Sequence, residues 1–201
     1  MTALTNKAAT WAETPPRERH IPGESGLWIL LFGDMTVFLI LFGVYLHARG
    51  PQKALFDHAQ ETLNRDLGAL NTVLLLISSL LVAMAVRAVR GEHRRLAPPL
   101  MFGAMACGVG FIAVKAFEYH ARIAAGQTPN TNPFYMYYFV LTGLHLAHLI
   151  IGLAVLLALS VLARKPELGK MQLAFFEGGA CFWHMVDLLW IVIFPLIFLV
   201  R

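Results

Sequence analysis

Three residues that could do chemistry share one short segment, FEGGACFWHMVDLLW, which ends at Trp190. It holds Glu177, His184 and Asp187 inside an otherwise apolar run from Leu173 to Val200. On a helix, His184 falls about 700° from Glu177, roughly 20° short of two turns, and Asp187 about 300° further on. The three therefore lie on one stripe. Two carboxylates and an imidazole on one face could ligate a metal, relay protons or hydrogen-bond across to neighbouring helices. Similar residues recur in other apolar runs: Asp34 in LLFGDMTVF, His145 and His148 in TGLHLAHLIIG, and Lys115, Glu118 and Arg122 in VKAFEYHAR. The last three are spaced i, i+3, i+7, with Glu118 preceding Arg122 in the favourable order. Lys115 and Arg122 lie toward one end of their run, where snorkelling to the headgroups accounts for a cation.

The elements that position these residues are membrane-spanning. Hydrophobic residues make up 58% of the 201 and charged ones 14%, against about 25% charged in soluble domains, and the mean hydropathy is +0.63. Five runs are long enough to cross a bilayer: Leu27–Leu46, Leu67–Val89, Leu100–Phe117, Phe134–Leu162 and Leu173–Val200. A lipid-embedded segment must satisfy its own backbone, so each is predicted to be a helix. The expected fold is an all-α membrane protein, a five-transmembrane-helix bundle over 27–201 that follows a cytoplasmic tail, 1–26. That tail is polar, and no cleavable signal is expected in it.

The net charge of +4 is a topology signal and does not indicate nucleic acid binding. Ten Lys and Arg lie in the tail, the second link and the fourth link, and five on the opposite side. This places the N-terminus in the cytoplasm and the C-terminus in the periplasm. Trp28 is expected at headgroup depth. Small residues recur within the runs and allow close helix approach. Cys107 and Cys181 each sit alone in a run and read as packing thiols.

For the histidines two readings stand side by side. His-x-x-His in one run with His184 in another could hold haem or a metal. The same histidines could instead bond Asp34, Glu177, Asp187, Ser78 or Thr142 across helices. A proton carrier is a third reading, weakened by the absence of inverted repeats.

Taken together, GALNTVLLLISS, VKAFEYH, YFVLTGLHLAHLIIG and FEGGACFWHMVDLLW, in that order, resemble subunit III of haem-copper oxidases in its five-helix form. The resemblance runs from about Leu27 to Val200. It implies a bundle with no haem or metal of its own, one that binds phospholipid and flanks a catalytic subunit in the bacterial inner membrane. It makes Asp34, Glu118, His145, His148, Glu177, His184 and Asp187 a structural polar network, with Asp34 or the two histidines of the fourth run facing the stripe on the fifth. Trp28, Lys115, Arg122 and Trp183 are expected at the lipid interface. The two N-terminal helices that form a lipid cleft in longer members have no counterpart here. Lys115 stands where oxidase subunits commonly have Gln. With HIPGESGLW and FYMYYFVLTG it resembles the branch encoded with nitric oxide reductases, the NorE type. The resemblance implies an accessory subunit, with nitric oxide reductase of denitrification as the expected partner. The alternatives are an ordinary subunit III of a cytochrome c or quinol oxidase in aerobic electron transport and, more remotely, a haem-binding redox protein.

Overall fold

A computed structural model describes residues 25–91, 93–165 and 168–200. The tail expected over 1–26 falls almost entirely outside the described residues. Six α-helices follow in chain order: α1 (Ser25–Arg49), α2 (Lys53–Glu61), α3 (Arg65–Arg90), α4 (Ala97–Ala124), α5 (Pro133–Leu162) and α6 (Lys170–Phe194). No strand occurs among the described residues. Five helices, α1, α3, α4, α5 and α6, are long and apolar enough to cross a membrane.

Side chains set several of the boundaries. The Asn64 carboxamide oxygen accepts from the amides of Asp66 and Leu67 and starts α3. Asn132 does the same for Tyr135 at the head of α5, where Pro133 fills the first helical position. Pro195 has no amide hydrogen to continue α6, and the chain widens into a short π-helical turn over Pro195–Leu199.

The link between the first two spans is folded. Phe56, Ala59, Gln60 and Leu63 are buried, at the i, i+3, i+4, i+7 spacing of an amphipathic helix. Phe56 packs against Tyr45 of α1 and Phe134 of α5, and Thr62 shares a 2.9 Å hydrogen bond with the Tyr135 hydroxyl. Arg49 bonds Asp57 at 2.7 Å. The segment therefore caps one end of the bundle.

Helices α3, α4, α5 and α6 pack round a common interior, α3 closely against α4 and α6 against both α3 and α5. Helix α1 leans on α5 and α6 from outside, and Ile29, Phe32 and Leu39 on it are largely exposed. Such a surface suits lipid or a partner helix. At the centre, Trp183 of α6 is wholly buried. A β-carbon added at Gly152 would meet its ring at 2.7 Å, and one at Gly108 at 3.0 Å. The two glycines are thus the walls of a slot for the indole.

Candidate functional site

The polar residues of the spans form separate contacts stacked through the bundle. Toward the end where α3 finishes and α6 begins, the Arg90 guanidinium holds Glu177 at 2.6 Å; the carboxylate side chain is 2% exposed and the arginine 50%. A cation reaching outward from a span end while its partner carboxylate stays inside is snorkelling with a bond at its tip.

Deeper in, adjacent serines of α3 serve two residues of α6. Ser78 donates to the carbonyl of Ala104 at 2.9 Å and accepts from Trp183 Nε1 at 3.1 Å. Ser79 bonds His184 Nδ1 at 2.7 Å. Asp187, one turn beyond His184, is buried and lies close enough to Ser79 for their groups to interact, although neither carboxylate oxygen makes a hydrogen bond of ordinary geometry among the described residues. Interhelical hydrogen bonds inside bilayers average about 0.6 kcal/mol and reach about 1.7. Ser79→Ala is accordingly expected to cost about 1 kcal/mol, read as an earlier unfolding midpoint in detergent. An unshifted midpoint would leave the His184 contact without energetic weight.

On the α1 side, Asp34 Oδ1 lies 3.0 Å from His148 Nε2, both side chains 20% exposed. His148 Nδ1 is 2.8 Å from the carbonyl of Leu144, which can only accept, so Nδ1 carries a hydrogen. The bond to Asp34 then needs a further proton, on Nε2 or on the carboxyl. This pair holds one exchangeable proton inside the spans.

His145 is fully buried, its ring 5.4 Å from that of Phe111 and 5.2 Å from that of Trp190. Neither nitrogen has a hydrogen-bond partner among the described residues. Toward the other end, Lys115 Nζ bonds Glu118 at 2.9 Å, with the side chains 0% and 1% exposed. The Tyr138 hydroxyl donates to the second Glu118 oxygen at 2.8 Å. The rings of Tyr119, Tyr138, Trp190 and Phe198 surround the ammonium, their centroids 5.0–5.8 Å away. Each face attracts a cation through its quadrupole. Beside this cage the Thr142 hydroxyl donates to the Tyr138 carbonyl and accepts from Tyr119.

Several expectations are corrected. Lys115 and Trp183 are wholly buried and not at the lipid interface, because one has a carboxylate and an aromatic cage and the other a glycine-walled slot. Glu118 pairs back to Lys115, while Arg122 donates to Gln127 instead. Asp34 and the α5 histidines do not supply the partners of Glu177 and His184; Arg90 and Ser79 of α3 do. The seven expected residues form no single connected network, because their partners lie at different depths. Trp28 is half-buried and packs on Phe32. Sequence reasoning missed Ser79, Arg90 and Tyr138; polar residues recurring on the buried face of α3 were the available signal for the serine. Among the described residues no group of three His, Cys, Asp or Glu side chains converges as a metal set would.

Comparison with known proteins assigns this arrangement to a lineage. The family model for cytochrome c oxidase subunit III matches residues 22–200. A cytochrome c oxidase subunit 3 of Bacillus sp. (strain PS3) is 27% identical over 197 residues, covering 96% of this chain and 94% of its own. A cytochrome bo(3) ubiquinol oxidase subunit 3 of Buchnera aphidicola subsp. Acyrthosiphon pisum is 28% identical over 174 residues, 87% of this chain and 84% of its own. A haem-copper oxidase subunit I+III of Aeropyrum pernix is 24% identical over 182 residues, 88% of this chain but 22% of that longer one.

Proposed function

Because the chain belongs to the cytochrome c oxidase subunit III family, we propose that it is a non-catalytic accessory subunit of a terminal oxidase, docked laterally on the haem-copper catalytic subunit. The family match over nearly the whole chain carries this reading, and relatives named for both cytochrome c and quinol oxidases support the partner class. In the Aeropyrum relative, as its name states, the I and III parts are one chain; a non-covalent neighbour of the catalytic subunit is the equivalent arrangement here. The polar geometry supports a structural role. His148 is engaged by Asp34 and a backbone carbonyl, His184 by Ser79, and His145 stacks between two aromatic rings. In this reading the chain carries no haem or metal of its own, spans a bacterial inner membrane with its N-terminus in the cytoplasm, and is wrapped in phospholipid.

Nitric oxide reductase is the second partner reading. It rests on Lys115 and on the HIPGESGLW and FYMYYFVLTG segments, whereas the relatives named above are oxidase subunits. One purification separates the readings. The tagged chain is taken from its native membranes in mild detergent, and co-eluting chains are identified alongside an optical spectrum. An oxidase catalytic subunit, with haem in proportion to it, is the expected result. A nitric oxide reductase subunit in its place would select the second partner, and stoichiometric haem with no partner would overturn both.

A further inference from the structure

The bundle end where α3 and α5 finish carries a cavity of about 840 Å³, lined by His93, Arg94, Arg95 and Pro98 from the α3–α4 link and the head of α4, and by Arg164 and Lys165 after α5. We propose that this cavity is a binding site for the phosphate headgroup of an anionic phospholipid.

Three observations carry the assignment. First, cations from two links far apart in sequence line one concavity. Four Lys and Arg side chains face it, against two carboxylates, Glu92 and Glu167, in the same links. A topology signal needs only a count of charges on one side; it does not require them to converge. Second, Arg164 is held at the bilayer edge, its guanidinium 5.5 Å from the ring centre of Phe102, itself an exposed residue of α4. That contact keeps the charge over apolar surface, where a lipid phosphate sits, and leaves the guanidinium edge for hydrogen bonds. Third, Leu157, Val161 and Arg164 follow one another at i, i+4, i+7 spacing, and both apolar residues are exposed. An acyl chain descending from the cavity would lie along that stripe. Cationic pockets between spans at a membrane face are a recognised chemistry for acidic headgroups. This site lies between the ends of α4 and α5 and needs no additional N-terminal helices.

The test uses the purified full-length chain, delipidated in mild detergent and titrated with phosphatidylglycerol or phosphatidylcholine, with retained lipid read by native mass spectrometry. Phosphatidylglycerol is expected to be retained in preference, and the Arg95→Gln/Arg164→Gln double variant to lose about tenfold of that preference. Lys53→Gln, at the opposite end, is expected to keep it. Arg95→Lys/Arg164→Lys separates charge from fold: it should retain most of the preference, and gel filtration should show all variants monodisperse. Equal retention of the two lipids by the wild type, or an unchanged preference in the double Gln variant, would overturn the site. Full displacement of the lipid by inorganic phosphate at matched concentration would overturn the lipid assignment and leave a plain anion site.

Discussion

Lys115→Met is expected to lower the stability of the bundle by about 3 kcal/mol or more, the scale on which a buried pair fails when one partner is removed. The substitution keeps the length of the side chain and most of its contacts with the rings of Tyr138, Trp190 and Phe198. What it removes is the charge opposite Glu118, a carboxylate 1% exposed and left with one hydrogen bond, from Tyr138. The cost is therefore an uncompensated buried charge and not a packing defect. The double variant Lys115→Met/Glu118→Leu removes both charges and should recover most of the loss, as apolar replacements of buried pairs commonly do. Lys115→Gln should fall between, since an amide can still donate to Glu118. The measurement is the midpoint of denaturant-induced unfolding in detergent for the four proteins. A single Met variant that unfolds with the wild type would show that the pair contributes nothing, and a double variant no better than the single would show that the cage matters more than the charge.

How far the sequence could be read follows from how local each feature is. The five spans were legible because the length and hydropathy of a continuous run decide whether it crosses a bilayer, and the described helices occupy the same stretches with ends a few residues longer. The stripe of Glu177, His184 and Asp187 was also legible as a face. Its partners were not: Glu177 and His184 are seven residues apart, about 10 Å along the axis, so no single neighbouring residue could meet both. Each found its own group on α3, and nothing in the order of residues along α6 encodes which. Lys115 shows the same limit. Its cage draws rings from α4, α5, α6 and the turn after α6, which only the packed bundle brings together. The short helix α2 was missed for another reason. Its buried residues, Phe56, Ala59 and Gln60, show a helical period, but nine residues are too few to stand out beside spans of 25 or more.

The slot around Trp183 gives the second large effect. Gly152→Ala is expected to destabilise the bundle by about 2 kcal/mol, within the usual range for overpacking, even though alanine is about 1 kcal/mol better than glycine in a helix interior. The new methyl would stand 2.7 Å and 2.9 Å from two atoms of the indole. The ring cannot retreat, because Gly108 of α4 closes the far side at 3.0 Å and the indole nitrogen is fixed to Ser78, itself bonded to the Ala104 carbonyl. Either α5 moves outward or the Trp183–Ser78–Ala104 chain of hydrogen bonds breaks, and both loosen the contact of α6 with its neighbours. Gly143 supplies the control: it lies on the same helix, and its added methyl would meet only the Tyr119 hydroxyl at 4.0 Å, so Gly143→Ala should be neutral or stabilising by up to about 1 kcal/mol. Combining Gly152→Ala with Trp183→Phe should restore part of the loss by shortening the ring that the methyl strikes, although Ser78 then loses the indole donor. Matching midpoints for Gly152→Ala and Gly143→Ala would mean that the slot is slack and that small residues in α5 serve helix approach in general; a clear separation would identify the Trp183 slot as the contact that holds α4, α5 and α6 in register.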